Sequence, residues 1–219
     1  MSSRRTFLEH SMSAALVTAG SAAFAQQSTK AHEGGDLLSR MTWLNSPANE
    51  FYDSGAVTVR CKGKTDFWRK TFYGYVNDNG HFLHLPVTGE FQFQARINGN
   101  YSQLYDQAGI MVRLDAQNWL KCGSEFFDGK RWASVVATRD FSDWSTMEDL
   151  TQTGPVYWRV QRKKDSLEAQ CSVDGAQYTT VRQAYFPAKV SVAVGVMCAA
   201  PEGFGFDTTF DQLEISQLK

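Results

Sequence analysis

The chain has 219 residues, 42% of them hydrophobic, with 22 Lys+Arg against 23 Asp+Glu and a formal net charge of −1. A balance this close to neutral excludes the basic footprint of a nucleic-acid binder and offers no attraction to anionic lipid. No apolar run approaches the roughly 20 residues of a membrane-spanning helix, so no transmembrane anchor is expected.

The first 25 residues read as a targeting segment. Ser3-Arg4-Arg5-Thr6-Phe7-Leu8 matches the twin-arginine export pattern, residues 11–22 form a weakly hydrophobic Ala-rich run, and Ala23-Phe24-Ala25 supplies a small-x-small cleavage site before Gln26. The competing reading is a disordered N-terminus with a chance Arg pair. No Cys follows the cleavage site, so no lipid attachment is expected. The sequence predicts passage through the twin-arginine export machinery and a periplasmic or secreted protein that folds before it crosses. Cleavage removes Arg4, Arg5 and Glu9 and leaves 194 residues carrying 20 Lys+Arg against 22 Asp+Glu. A chain of that length buries about 70% of its unfolded surface as one domain, and no Pro/Ser-rich or charged linker divides it. Residues 26–40 are expected to be a flexible N-terminal segment and residues 41–219 the folded domain.

Strand patterns recur from there on. Residues 56–61 form a short strand, and Phe82-Leu83-His84-Leu85 another, with Pro86 marking an edge or bend. Residues 90–97 alternate strictly, Phe91, Phe93, Ala95 and Ile97 on one face and Glu90, Gln92, Gln94 and Arg96 on the other. Asn98-Gly99 reads as a turn. Ala108, Ile110, Val112 and Leu114 make the next apolar face, followed by Leu120, Cys122 and Phe126, an Asp128-Gly129 turn, and a strand at 132–138. Residues 139–154 read as a loop with room for a short helix at 146–152. Alternation resumes at 156–161 and 167–173, with Asp174-Gly175 as a two-residue hairpin signal, and ends with 190–196, 206–210, Leu213 and Ile215. About a dozen strands with turn signals every 8–12 residues predict an all-β, two-sheet antiparallel jelly-roll sandwich.

Cys61, Cys122, Cys171 and Cys198 all fall in strand patterns and none has metal-binding or redox spacing. They are expected to be four core thiols, with one late disulfide as the alternative.

Five segments carry a family resemblance: residues 65–69 (TDFWR), 78–81 (DNGH), 104–113 (LYDQAGIMVR), 118–121 (NWLK) and 136–145 (VATRDFSDWS). In this order they resemble the regulation-of-enolase family, a domain family of otherwise unknown function with a concanavalin A-like lectin/glucanase sandwich. The resemblance spans residues 43–218. It implies a two-sheet jelly roll with one curved sheet and a concave face. The regulatory role in the family's name concerns a cytosolic enzyme, which an exported chain would not meet.

Strand parity then selects candidate site residues. With the apolar sets facing inward, Gln107, Gly109, Met111 and Arg113 share the opposite face with Trp119, Lys121, Gly123 and Glu125. Gly109 and Gly123 leave open floor, and Gln107, Arg113, Lys121 and Glu125 are expected to cluster as a polar cleft for sugar hydroxyls. A cross-strand salt-bridge ladder is the alternative. The strand at 132–138 can present either Trp132, Ser134, Val136 and Thr138 or Ala133, Val135 and Ala137 to the cleft; the first set is chosen, so that Trp132 can stack on a sugar ring, with a core Trp as the alternative. Residues 66–69 with Trp68, and residues 139–144 with Arg139 and Trp144, are candidate rims, although both Trp could instead plug the ends of the sandwich. Asn77-Asp78-Asn79-Gly80 reads as a hairpin turn in preference to a calcium loop.

Catalytic readings are weaker. Glycoside hydrolysis needs two carboxylates about 5–10 Å apart. Glucanases of the resembled fold carry theirs as Glu-x-Asp-x-(x)-Glu, a run this chain lacks. Asp106 is the best sequence partner for Glu125. His81 and His84 face opposite sides of one strand, and no metal or cofactor is expected. The sequence thus favours a non-catalytic carbohydrate-binding module. The alternatives are a glycan-active hydrolase or lyase using Glu125 with Asp106, and a protein-interaction or regulatory domain.

Overall fold

The protein is described here by a computed structural model covering residues 37–148 and 151–218. The expected export signal at 1–25 and the start of the segment at 26–40 lie outside the described residues. Leu37 and Leu38, within that segment, form one helical turn and are buried in the core.

Among the described residues sixteen strands follow in chain order: β1 (Thr42–Leu44), β2 (Asn49–Asp53), β3 (Ala56–Arg60), β4 (Phe67–Arg69), β5 (Val76–Asp78), β6 (His81–Val87), β7 (Phe91–Gly99), β8 (Gln107–Arg113), β9 (Asn118–Phe127), β10 (Lys130–Arg139), β11 (Phe141–Glu148), β12 (Val156–Lys163), β13 (Ser166–Ser172), β14 (Thr179–Tyr185), β15 (Val192–Ala199) and β16 (Asp207–Gln217). They form two antiparallel seven-stranded sheets. The first runs β1-β6-β15-β8-β9-β10-β11, the second β14-β13-β12-β7-β16-β3-β2, and β4 and β5 make a separate two-stranded hairpin.

Period-2 alternation builds the sandwich. Along β7, Phe91, Phe93, Ala95 and Ile97 are buried while Gln92, Gln94 and Arg96 sit half-exposed on the outer face. These side chains meet Ile110, Val112, Leu120, Cys122 and Val135 from the first sheet, together with Trp158, Leu167 and Phe210, in one continuous core. The first sheet is also apolar on its other side. Met111, Trp119, Val136 and Met197 form a second cluster there with Phe82, and Phe67 and Trp68 of β4 lie over it. This hairpin cover turns an open sheet face into a walled one.

Several local expectations are corrected. Asn98 and Gly99 do not turn; they are the end of β7, paired with Thr209 and Thr208. Within the loop expected at 139–154, residues 141–148 instead form β11, which reverses directly on Asp140 (φ 58°); residues 151–154 belong to no strand, and residues 149–150 of the short helix expected at 146–152 lie outside the described residues. Strand β11 pairs only with β10 and is mostly exposed, so it lacks the apolar alternation that marks an interior strand. Exposure likewise hid β2 and β14, both of which lie at a sheet edge. Asp128-Gly129 makes the expected tight hairpin, with φ of 52° and 70°. Asp174-Gly175 instead begins a longer connection, in which Asp174 Oδ1 accepts the amides of Ala176 and Gln177. All four cysteines are free and buried.

Gly109 and Gly123 face each other across β8 and β9. A Cβ on Gly109 would lie 2.0 Å from the Cys122 carbonyl oxygen, and one on Gly123 would lie 2.2 Å from that of Ala108. Backbone approach, more than ligand access, requires glycine at both positions. Gly109→Ala should therefore cost about 3 kcal/mol of stability in urea denaturation; a loss below about 1 kcal/mol would show that the strands can part to admit a methyl group.

Candidate functional site

On the hairpin-covered face, register brings three polar strands together. Gln107 on β8 lies opposite Glu125 on β9, which lies opposite Trp132 on β10; Met111, Lys121 and Val136 form the parallel row. Trp144 of β11 falls beside Val136. The β4–β5 hairpin closes one side with Asp66, Trp68, Tyr73 and Tyr75, and Tyr105 and Pro201 complete a pocket with about 360 Å³ of empty space. A smaller hollow of about 200 Å³ adjoins it beside Gly123, Ser124 and Ser134.

The floor of the pocket is charged and buried. Lys121 Nζ donates to Gln107 Oε1 at 2.6 Å and to the Phe67 carbonyl at 2.8 Å, and sits 3.5 Å from Asp66 Oδ1. Glu125 Oε2 accepts from Ser134 Oγ at 2.6 Å and from the Trp144 indole at 3.0 Å. Burial pushes the Glu125 carboxyl up from its ordinary value. Lys121 and the hydrogen bonds from Ser134 and Trp144 oppose that shift, and the Asp66 charge adds to it.

Aromatic rings form the walls. Trp68 donates its indole N–H to the Thr71 carbonyl and meets Tyr73 edge-on at 5.8 Å. Tyr73 stacks on Tyr75 at 5.4 Å and its hydroxyl lies 3.0 Å from that of Tyr105. That hydrogen bond, with burial, pushes the Tyr105 phenol up to about 12. The two rim segments read from sequence are clamped to each other. Arg69 and Lys70 reach Asp140 at 2.8 and 2.6 Å, and the Arg69 amide donates to Ser142 Oγ at 3.0 Å.

Of the residues selected from sequence, the fold brings Gln107, Lys121, Glu125, Trp68 and Trp144 into one pocket, with Ser134 in the adjoining hollow. Four others go elsewhere. Arg113 makes a bidentate pair with Asp78 at 2.6 and 2.7 Å, because β5 delivers that carboxylate to the end of β8. Asp106 precedes Gln107 and points the other way; its Oδ2 accepts the amides of Ser102 and Gln103, so it is no partner for Glu125. Trp132 shares the face but stacks on Phe127 at 5.0 Å, outside the pocket. Arg139 alternates to the opposite side and covers the Tyr185 ring at 4.4 Å. Of the turn at 77–80, Asn79 Oδ1 accepts the Asp66 amide. No group of three or more His, Cys, Asp or Glu placed to hold a metal occurs among the described residues. Tyr73, Tyr75 and Tyr105 escaped sequence selection. Tyr73 and Tyr75 sit in a Tyr-Gly-Tyr hairpin tip, and a tip has no strand period to assign its side chains a direction.

Residues 43–218 match the family described as "Protein of unknown function (DUF1349)", and the chain belongs to that family. Regulation of enolase protein 1 of Saccharomyces cerevisiae is 43% identical over 179 residues, which cover 82% of this chain and 90% of the yeast protein. A solved structure of a functionally unknown protein from the same yeast superposes with a TM-score of 0.80 at 42% identity, over 83% of this chain and 98% of that one. A glycoside hydrolase family 43 protein, BlXynB of Bacillus licheniformis, shares the sandwich with a TM-score of 0.65 at 14% identity, over 82% of this chain and 37% of its own.

Two outcomes follow from this geometry. Arg113→Ala should cost about 2 kcal/mol in denaturant unfolding, since it strands a partly buried carboxylate, and should leave ligand affinity nearly unchanged. Glu125 binds its proton more tightly in the folded state, so its contribution to stability is complete below the ordinary Glu pKa and is lost as pH rises through the raised value. Glu125→Gln should therefore raise stability by about 1 kcal/mol at neutral pH, with the gain shrinking towards pH 4 in paired thermal melts.

Proposed function

We propose that this member of the DUF1349 family is an exported, non-catalytic carbohydrate-binding β-sandwich that takes a single sugar unit between the β4–β5 hairpin and the first sheet. One observation carries the reading: a pocket with aromatic walls and a polar floor. The walls offer ring faces to the C–H side of a pyranose, and the floor offers hydrogen-bond acceptors to its edge. The hairpin walls one side, which favours a chain end over the middle of a polysaccharide. The likeness to the family 43 protein concerns the fold; the sugar reading rests on the pocket. Export rests on the Arg4-Arg5 motif, the Ala-rich run and Ala23-Phe24-Ala25.

A second reading, a glycan-active hydrolase or lyase, is favoured by the raised Glu125 beside Asp66. Asp66 already accepts the Phe67 amide and faces Lys121, so a catalytic role would require it to leave both.

Titrating the protein from Gln26 onward with a panel of mono- and oligosaccharides, followed by intrinsic fluorescence, tests the binding. Trp144→Ala should weaken affinity about tenfold or more, whereas Trp132→Ala should not. Silence across the whole panel would sink the reading, and steady sugar release abolished by Glu125→Gln would replace it with the enzyme. Fractionation of cells expressing the full chain should find an N-terminus at Gln26 outside the cytoplasm, and Arg4→Lys with Arg5→Lys should retain the precursor inside.

A further inference from the structure

The pocket has a marked imbalance of donors and acceptors. Its buried donors are already directed at protein groups. The Lys121 ammonium is surrounded by Gln107 Oε1, the Phe67 carbonyl and Asp66 Oδ1. The Trp144 indole N–H points at Glu125 and Ser134, and that of Trp68 at the Thr71 carbonyl. Two carboxylate oxygens stand in contrast. No hydrogen bond from a described residue is directed at Glu125 Oε1 or Asp66 Oδ2, and both residues line the pocket. A carboxylate oxygen open to the pocket can accept a hydrogen bond from a ligand. One ammonium faces two carboxyl groups, and the walls are tyrosine and tryptophan rings whose negative faces attract cations.

We infer that the pocket selects a protonated amine: the sugar unit it holds carries a free ammonium group, as in an unacetylated amino sugar, placed between Glu125 Oε1 and Asp66 Oδ2. This inference deepens the carbohydrate reading and rests on it for the body of the ligand. The ammonium supplies the donors that the floor lacks and the positive charge that a second carboxylate needs. An N-acetyl group removes the charge and adds bulk. A hydroxyl in the same place satisfies one oxygen and neutralises nothing. Binding should favour the ionised form of Glu125, so uptake of the amine is linked to proton release from a site also faced by Lys121, Asp66 and Tyr105.

The experiment is a set of calorimetric titrations with glucosamine, galactosamine and mannosamine. Their N-acetylated forms, the parent neutral hexoses and cyclohexylammonium serve as comparisons. At least one amino sugar should bind about tenfold or more tightly than its acetylated and neutral counterparts. Glu125→Gln should reduce that preference to near unity while leaving the protein folded by circular dichroism, and Asp66→Asn repeats the test from the other side of the site. Equal binding of amino and neutral sugars would overturn the amine selection and leave the carbohydrate reading standing. Cyclohexylammonium binding as tightly as the best amino sugar would uphold the amine selection and remove the sugar reading. If none of these compounds binds, both fall.

Discussion

The Lys121 ammonium reaches back 54 residues along the chain to the carbonyl of Phe67 and is almost wholly withdrawn from water. Burying an ammonium costs several kcal/mol unless every N–H finds an acceptor. Here the acceptors come from three separate places: a β8 amide, the β4 backbone, and the Asp66 carboxylate that precedes β4. The demand of one buried charge therefore fixes the hairpin to the sheet. Without it Asp66 would be an uncompensated buried anion, and the hairpin would be held by Phe67, Trp68, the Arg113–Asp78 pair and the clamp from Arg69 and Lys70 to Asp140.

That arrangement explains why the first sheet is apolar on both sides. One side closes the sandwich core; the other receives Phe67 and Trp68 against Met111, Trp119, Val136 and Met197. A sheet with one wet face would leave the polar residues solvated and weakly interacting. The cover lowers the local dielectric, so the Glu125 carboxyl, the Lys121 ammonium and the aromatic walls act on each other and on a ligand more strongly than they could in water.

Four of the eleven non-glycine residues with positive φ among the described residues lie at the same rim. Lys70, Phe72, Tyr105 and Asp140 all have positive φ, between 58° and 65°, though none is glycine. Each such residue costs of order 1 kcal/mol or more and persists where the surroundings over-determine it. Tyr105 lines the pocket, and Lys70 and Asp140 pair across its outer edge. The rim keeps its shape against local preference.

Strand parity is a local property of the chain, and it was legible in the interior strands that build the core and the floor of the pocket. Ala108, Ile110 and Val112 announce which way Gln107 and Met111 must point, and Leu120 and Cys122 do the same for Lys121 and Glu125, because successive side chains on a strand alternate whatever lies above them. The sandwich, its core and the shared face of Gln107, Lys121 and Glu125 therefore came from the sequence by itself, whereas the face of Ser134 did not, because its strand alternates ambiguously. What parity cannot supply is the identity of a partner from a distant segment. Arg113 has the right direction for the pocket, yet Asp78, 35 residues away, holds it elsewhere. Asp66, Tyr73 and Tyr75 reach the site from a hairpin whose tip carries no period. Only the tertiary fold, by laying that hairpin across the sheet, decided which charges are paired, which acceptors stay open, and that the face is a pocket at all.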